Sequence, residues 1–250
     1  MQRALAAGLL LVCGACARHS QPRRISIAAA ADLNFAMDEL SREFRKSHPD
    51  VDIQPAYGSS GNFYSQIRSG APFDMFLSAD VEYPRKLVAE GLAARDSVFV
   101  YGIGRLVVWV PAQSPLDPAM ALHDPAVAHL AIANPQHAHY GRAAEAAMRS
   151  MGVYDSVEKK LVFGENIAQT LQFVQSGAAD VGIVALSLAV APPVSGRGRY
   201  WEIPLEYYPK IEQGGAILND SRDAREFRLW LLSAAGQGIL KRYGFYLPGA

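Results

Sequence analysis

Short apolar runs of strand length alternate with amphipathic helical stretches over most of this chain, and that alternation restricts it to an α/β architecture. Residues 25–29 read as a buried strand. Residues 33–48 carry Leu33, Met37, Leu40 and Phe44 at helical spacing and stop before Pro49. A strand over 51–56 enters the turn Gly58-Ser59-Ser60-Gly61, a helix over 62–69 ends at Gly70, and a strand over 74–77 runs through Ser78-Ala79-Asp80 into a helix that stops near Gly91. Strand-then-helix units in this order predict a parallel, doubly wound sheet.

Residues 106–110, bounded by Pro111, begin a second set of units. It comprises strands over 130–132, 161–163 and 181–184, with helices after Tyr140 and after Asn166. Residues 191–199 hold Pro192, Pro193, Gly196 and Gly198 and read as a surface loop. Residues 222–243 are helical by periodicity, interrupted near Gly236, and are expected to return to the first half. The expected organisation is lobe I over 24–104 plus 208–250 and lobe II over 105–207, joined by crossing segments near 102–106 and 207–214.

The first 17 residues read as an export signal or lipoprotein leader: Arg3, an apolar run over 4–12, then Gly14 and Ala15 before Cys16. The run is too short to span a bilayer. Gly14-Ala15-Cys16 resembles a lipoprotein box, and Ala15-Cys16-Ala17 fits ordinary signal cleavage, so both routes stay open. Cys13 and Cys16 are the chain's two cysteines, so a mature fold without the leader has neither disulfide nor thiolate chemistry. Lys plus Arg and Asp plus Glu balance at 24 each, which argues against nucleic acid as a partner.

Ligands of open α/β sheets bind beyond the carboxyl ends of strands, where helix N-termini offer unpaired N–H groups to anions. Four junctions qualify. Ala30-Ala31-Asp32 offers close backbone approach, with Asp32 as either a helix cap or part of a site. Gly58-Ser59-Ser60-Gly61 sets two hydroxyl donors between glycines. Asn134-Pro135 to Tyr140-Gly141 adds amides and a phenol that either donates or packs. Gly164-Glu165-Asn166-Ile167 adds another helix start, with Glu165 and Asn166 as expected caps. His137 and His139 lack a third metal ligand nearby, and Ser60 lacks the G-x-S-x-G elbow of a hydrolase nucleophile.

Together these residues resemble the periplasmic molybdate-binding proteins of ABC importers, a family of the two-lobed, type II periplasmic-binding-protein fold. The resemblance rests on residues 28–33, 57–62, 70–74 and 77–80, on Asn134-Pro135, Asn166-Ile167 and Gly182-Ile183-Val184, and on the terminal 241–245. It implies a binding protein with no catalytic residue, no cofactor and no bare metal cation. Its ligand would be molybdate or tungstate, held by neutral donors at Ala31, Asp32, Ser59, Ser60, Tyr140 and Ile167. It implies a periplasmic monomer that serves an ABC importer permease in the inner membrane, with a lipid anchor at Cys16 as an option. Two positions depart from the pattern: Asp32 stands where many members have serine, and Ala185 where some have a tyrosine donor. The alternatives are another tetrahedral oxyanion, sulfate or phosphate, and a serine hydrolase using Ser60.

Overall fold

A computed structural model describes residues 23–247; the leader, with Cys13 and Cys16, lies outside the described residues. The first half runs β1 (Arg23–Ala30), α1 (Asn34–Ser47), β2 (Val51–Gly58), α2 (Ser60–Arg68), β3 (Met75–Ser78), α3 (Glu82–Ala89) and β4 (Phe99–Gly104). The chain continues through β5 (Leu106–Pro111), β6 (Leu130–Ala133), α4 (His139–Ser150), α5 (Tyr154–Val157), β7 (Leu161–Gly164), α6 (Ile167–Gln175) and β8 (Val181–Ala185). Then come α7 (Leu186–Ala189), α8 (Pro192–Ser195), β9 (Gly198–Glu202), β10 (Ile211–Ile217), α9 (Arg222–Leu231) and α10 (Ala234–Arg242).

The strands form two five-stranded sheets, ordered β2-β1-β3-β10-β4 and β7-β6-β8-β5-β9. In each, three parallel strands carry the strand-then-helix units, and a strand arriving from the other half pairs antiparallel beside them. This mixed α/β arrangement is the two-lobed, type II periplasmic-binding fold, and its doubly wound units follow the sequence periodicity. Helix α1 buries Ala36, Met37, Leu40 and Phe44 on one face, each large side chain contributing about 1.5–3 kcal/mol by leaving water.

The sequence left the conformation of the crossings open. The first is almost all strand, β4 and β5 being separated by Arg105 alone, and the return becomes strand only where β10 begins at Ile211. The return passes Tyr208, whose hydroxyl accepts from the Leu106 amide (3.1 Å) and from Arg105 Nε (3.3 Å), tying the two crossings together. The stretch read as a surface loop over 191–199 folds into α8 and starts edge strand β9. Its signal is weak because Arg199 and Tyr200 are exposed, as edge strands allow. Gly198 is required there, since a Cβ would lie 2.1 Å from the buried Trp109 indole.

The last two helices pack against α1, with the Phe44 and Phe227 rings edge to face at 5.2 Å. Their break falls at Leu232–Ser233, where Ser233 precedes α10, and Gly236 lies inside the helix. One core cluster surrounds the second sheet and two lie on the first, one with α1, α9 and α10 and one with α2 and α3, and Ala30, Ala31 and Ala79, from the first sheet's strand ends, join the core of the second. The carboxyl ends of both sheets therefore face each other in contact.

Candidate functional site

Between those strand ends lies a small cavity, about 10 Å³, and all six sequence-predicted residues line it: Ala31, Asp32, Ser59, Ser60, Tyr140 and Ile167. Three α-helices from both halves begin at its wall. Helix α2 starts at Ser60 after Ser59, α4 at His139, and α6 at Ile167. First-turn amides have no intrahelical acceptor, so Tyr140 and Ile167 present N–H groups. At α6 the Asn166 side chain caps the amides of Ala168 (3.0 Å) and Gln169 (3.1 Å), which leaves that of Ile167. Gly141 lets α4 start against the end of β6, for a Cβ there would sit 2.1 Å from the Ala133 carbonyl oxygen.

The serines divide their work. Ser60 Oγ accepts the Ala79 amide at 2.9 Å, which orients the oxygen and leaves its proton to donate elsewhere. Ser59 Oγ is buried with no partner among the described residues.

Asp32 is not the cap that its place before a helix suggested. Leu33 occupies the cap position of α1 without a side-chain bond, and the Asp32 carboxylate, 1% exposed, turns across the cleft. Its Oδ2 accepts from the Tyr140 hydroxyl (2.9 Å) and from Gln213 Nε2, which also donates to the Tyr140 oxygen (2.9 Å). The Tyr101 hydroxyl donates to Gln213 Oε1 (2.8 Å), which fixes the amide's orientation. Oδ1 of Asp32 is buried and unpartnered. Desolvation by burial raises this carboxyl from its ordinary 3.8 to about 6, against the lowering effect of the Gln213 and Tyr140 bonds. Burial, with the Asp32 charge beside it, pushes the Tyr140 phenol well above its usual range. The Tyr140 proton is therefore committed to Asp32, and the residue's free donor toward the cavity is its amide.

Sequence reasoning set His139 aside as a metal ligand and gave no site role to Asp80 or Gln213. His139 lines the cavity; its Nδ1 lies 2.9 Å from Asp80 Oδ2, and its Nε2 is buried without a partner. Arg142 donates to the same Asp80 oxygen at 2.9 Å. Burial works to raise the Asp80 carboxyl, and the bond and charge of His139, with Arg142, outweigh it and hold it below its ordinary value. A second link joins the halves at the rim, where the Gly61 amide donates to the His137 carbonyl (3.0 Å) and Asn62 to Glu165. Glu165 thus bridges instead of capping. The Ser78-Ala79-Asp80 turn was visible in sequence as a helix entrance, but nothing in sequence paired it with residue 139. Gln213 had no local signal. Among the described residues, no three His, Cys, Asp or Glu side chains cluster to hold a metal ion.

Two α/β halves with facing strand ends, helix starts and uncharged donors around one small cavity define a solute-binding protein. The sequence profile of the bacterial extracellular solute-binding proteins matches residues 25–246, and the chain belongs to that family. Among its relatives, the molybdate-binding protein ModA of Azotobacter vinelandii is 37% identical over 248 residues, covering 98% of this chain and 96% of that protein. ModA of Rhodobacter capsulatus is 35% identical, covering 97% and 96%. The solved periplasmic molybdate-binding protein of Azotobacter vinelandii matches with a TM-score of 0.82 at 31% identity, covering 90% of this chain and 99% of that one.

Proposed function

We propose that this protein captures molybdate, or its tungstate analogue, between its two halves in the periplasm and delivers it to an ABC importer. One observation carries the reading. Asp32 Oδ1, Ser59 Oγ and His139 Nε2 are buried polar atoms without partners, and all three residues line one cavity. Buried polar groups are seldom left unpaired, so a ligand in the cavity accounts for such a cluster: the Ser59 hydroxyl donates to its oxygens, the Asp32 oxygen donates only when protonated, and His139 Nε2 only in the imidazolium, because Nδ1 faces Asp80. The first-turn amides of Tyr140 and Ile167 and the Ser60 hydroxyl join the Ser59 hydroxyl as uncharged donors, and the names of the relatives supply the anion.

Lobe I is residues 24–104 plus 208–250 and lobe II residues 105–207, a division supported by the strand membership of the two sheets. At about 10 Å³ the cavity in this state has room for about one water, so a four-oxygen anion enters as the lobes part about Arg105 and the Tyr208 crossing and is held with the lobes slightly wider apart than they stand here. Closure around the anion brings Gly61 toward His137 and Asp80 toward His139 and Arg142. Water is excluded, which strengthens each remaining hydrogen bond. The protein acts as a monomer on the importer's permease. It is exported by residues 1–17 as signal or lipoprotein leader, Cys16 being the lipid site in the second case.

A hydrolase using Ser60 is disfavoured by geometry. Asp80 and His139 have the form of an acid–base pair, but His139 Nε2 reaches no hydroxyl and Ser60 Oγ receives the Ala79 amide. Titration calorimetry of the mature protein with molybdate, tungstate, sulfate and phosphate tests the reading. Heat with molybdate and tungstate is expected, and silence with all four anions refutes it. Labelling of Ser60 by a serine-directed phosphonate would favour the hydrolase.

A further inference from the structure

Asp32 sets a problem that the donor set alone leaves unsolved. It is a carboxylate walled into the cavity proposed for a doubly negative anion, and no cation touches it. The groups packed against it are the Tyr140 phenol from α4, the Gln213 amide from β10 and Tyr101 of β4 beyond that amide. The Ser187 hydroxyl of α7 donates to its main-chain carbonyl at 2.9 Å. His139 is the nearest ionisable base to act on it, and His139 is engaged by Asp80, as is Arg142. An ionised Asp32 would therefore meet the anion with like charge in a site shielded from water, where such repulsion is strong.

We propose that Asp32 binds the anion as a neutral carboxylic acid, Oδ1 carrying a proton that it donates to an anion oxygen, with one proton taken up from solution for each anion bound. Oδ2 cannot take this role, because it already accepts two hydrogen bonds, from Tyr140 and Gln213. Oδ1 is the buried oxygen with no partner. Protonation converts a repulsive acceptor into the hydroxyl donor that the resemblance led us to expect at this position, where many members have serine. The balance is simple: the carboxylate and one solvent proton give the acid, and no bond to the anion forms or breaks. Burial has already brought the carboxyl to about 6, so supplying the proton at pH 7 costs about a factor of ten in affinity, since a protonation equilibrium shifts tenfold per pH unit.

The inference rests on anion capture as the function, and its test separates the two. Calorimetry with molybdate at pH 8, in two buffers of different ionisation enthalpy, is expected to show uptake of close to one proton per anion, falling toward none at pH 5. Affinity is expected to drop roughly tenfold per pH unit above about pH 6. Asp32→Asn, which keeps two acceptor sites for Tyr140 and Gln213 and puts an amide donor at the cavity, is expected to bind with no proton uptake and a flat pH profile. In infrared difference spectra, binding should raise a protonated-carboxyl band that is missing in Asp32→Asn. Molybdate binding with no buffer dependence, or an equal pH slope in the variant, overturns the proton role and leaves anion capture standing. A proton uptake without the carboxyl band places the proton on the anion and overturns it as well. Absence of molybdate binding at any pH overturns the function itself. The wild-type buffer experiment decides the matter even if Asp32→Asn does not fold.

Discussion

Replacing Asp32 by Asn in the ligand-free protein probes the cost of holding a charge in the cleft. Burial raises the carboxyl from 3.8 to about 6, so between those values the folded state binds more protons than the unfolded chain and stability falls as pH rises. The favourable contribution of the neutral acid is complete below about pH 3.8, is lost through about pH 6, and stays lost above it. At 1.36 kcal/mol per pH unit, the ionised Asp32 leaves the protein about 3 kcal/mol less stable at pH 8 than a neutral group making the same bonds. Asparagine is such a group, with an oxygen for the Tyr140 and Gln213 donors. The variant is expected to exceed the wild type by about 2–3 kcal/mol at pH 8, with the gap closing toward pH 4. Urea unfolding of both proteins from pH 4 to 8 measures it, and carboxylates elsewhere, Asp80 among them, cancel in the difference. A gap that does not change with pH, or a variant less stable at pH 8, refutes the reasoning.

Ser60→Ala removes a hydroxyl donor and the acceptor of the Ala79 amide. Molybdate affinity should fall by roughly 1.5–3 kcal/mol, read by calorimetry; an unchanged constant places the anion elsewhere. Gly141→Ala drives a methyl into the Ala133 carbonyl, so the start of α4 must shift. A stability loss of about 1–3 kcal/mol is expected, with a weaker site as the Tyr140 amide moves, checked by denaturation and binding together. Asp80→Asn cancels the cross-cleft ion pair with Arg142. The variant should close less completely on molybdate, seen as a smaller drop in the radius of gyration by small-angle scattering than in the wild type. Tyr140→Phe takes one hydrogen bond from the Asp32 carboxylate and should push that carboxyl further up, followed by infrared titration of its protonated band.

Local chemistry made much of the molecule legible in advance. The apolar periodicity of 33–48 marked α1 because helical spacing puts those side chains on one face, and the glycine-flanked serines marked the start of α2. The four junctions were recognisable because strand, turn and helix start are short-range features. Helix ends and the Ser233 break blurred, since they depend on main-chain bonds that several residues satisfy equally well. Strands β9 and β10 escaped notice for a different reason: each takes its hydrogen bonds from strands far away in the chain, and exposed Arg199 and Tyr200 hide the edge.

Along the chain, residue order settled which groups can face an anion, because amides at helix starts and hydroxyls between glycines act through neighbours in sequence. The state of those groups belongs to the folded molecule. Asp32 is a plain helix-entrance acid until Tyr140, 108 positions away, and Gln213, 181 positions away, close over it and remove its water. Charge burial is a property of everything that surrounds a group at once, and no local stretch of residues encodes it.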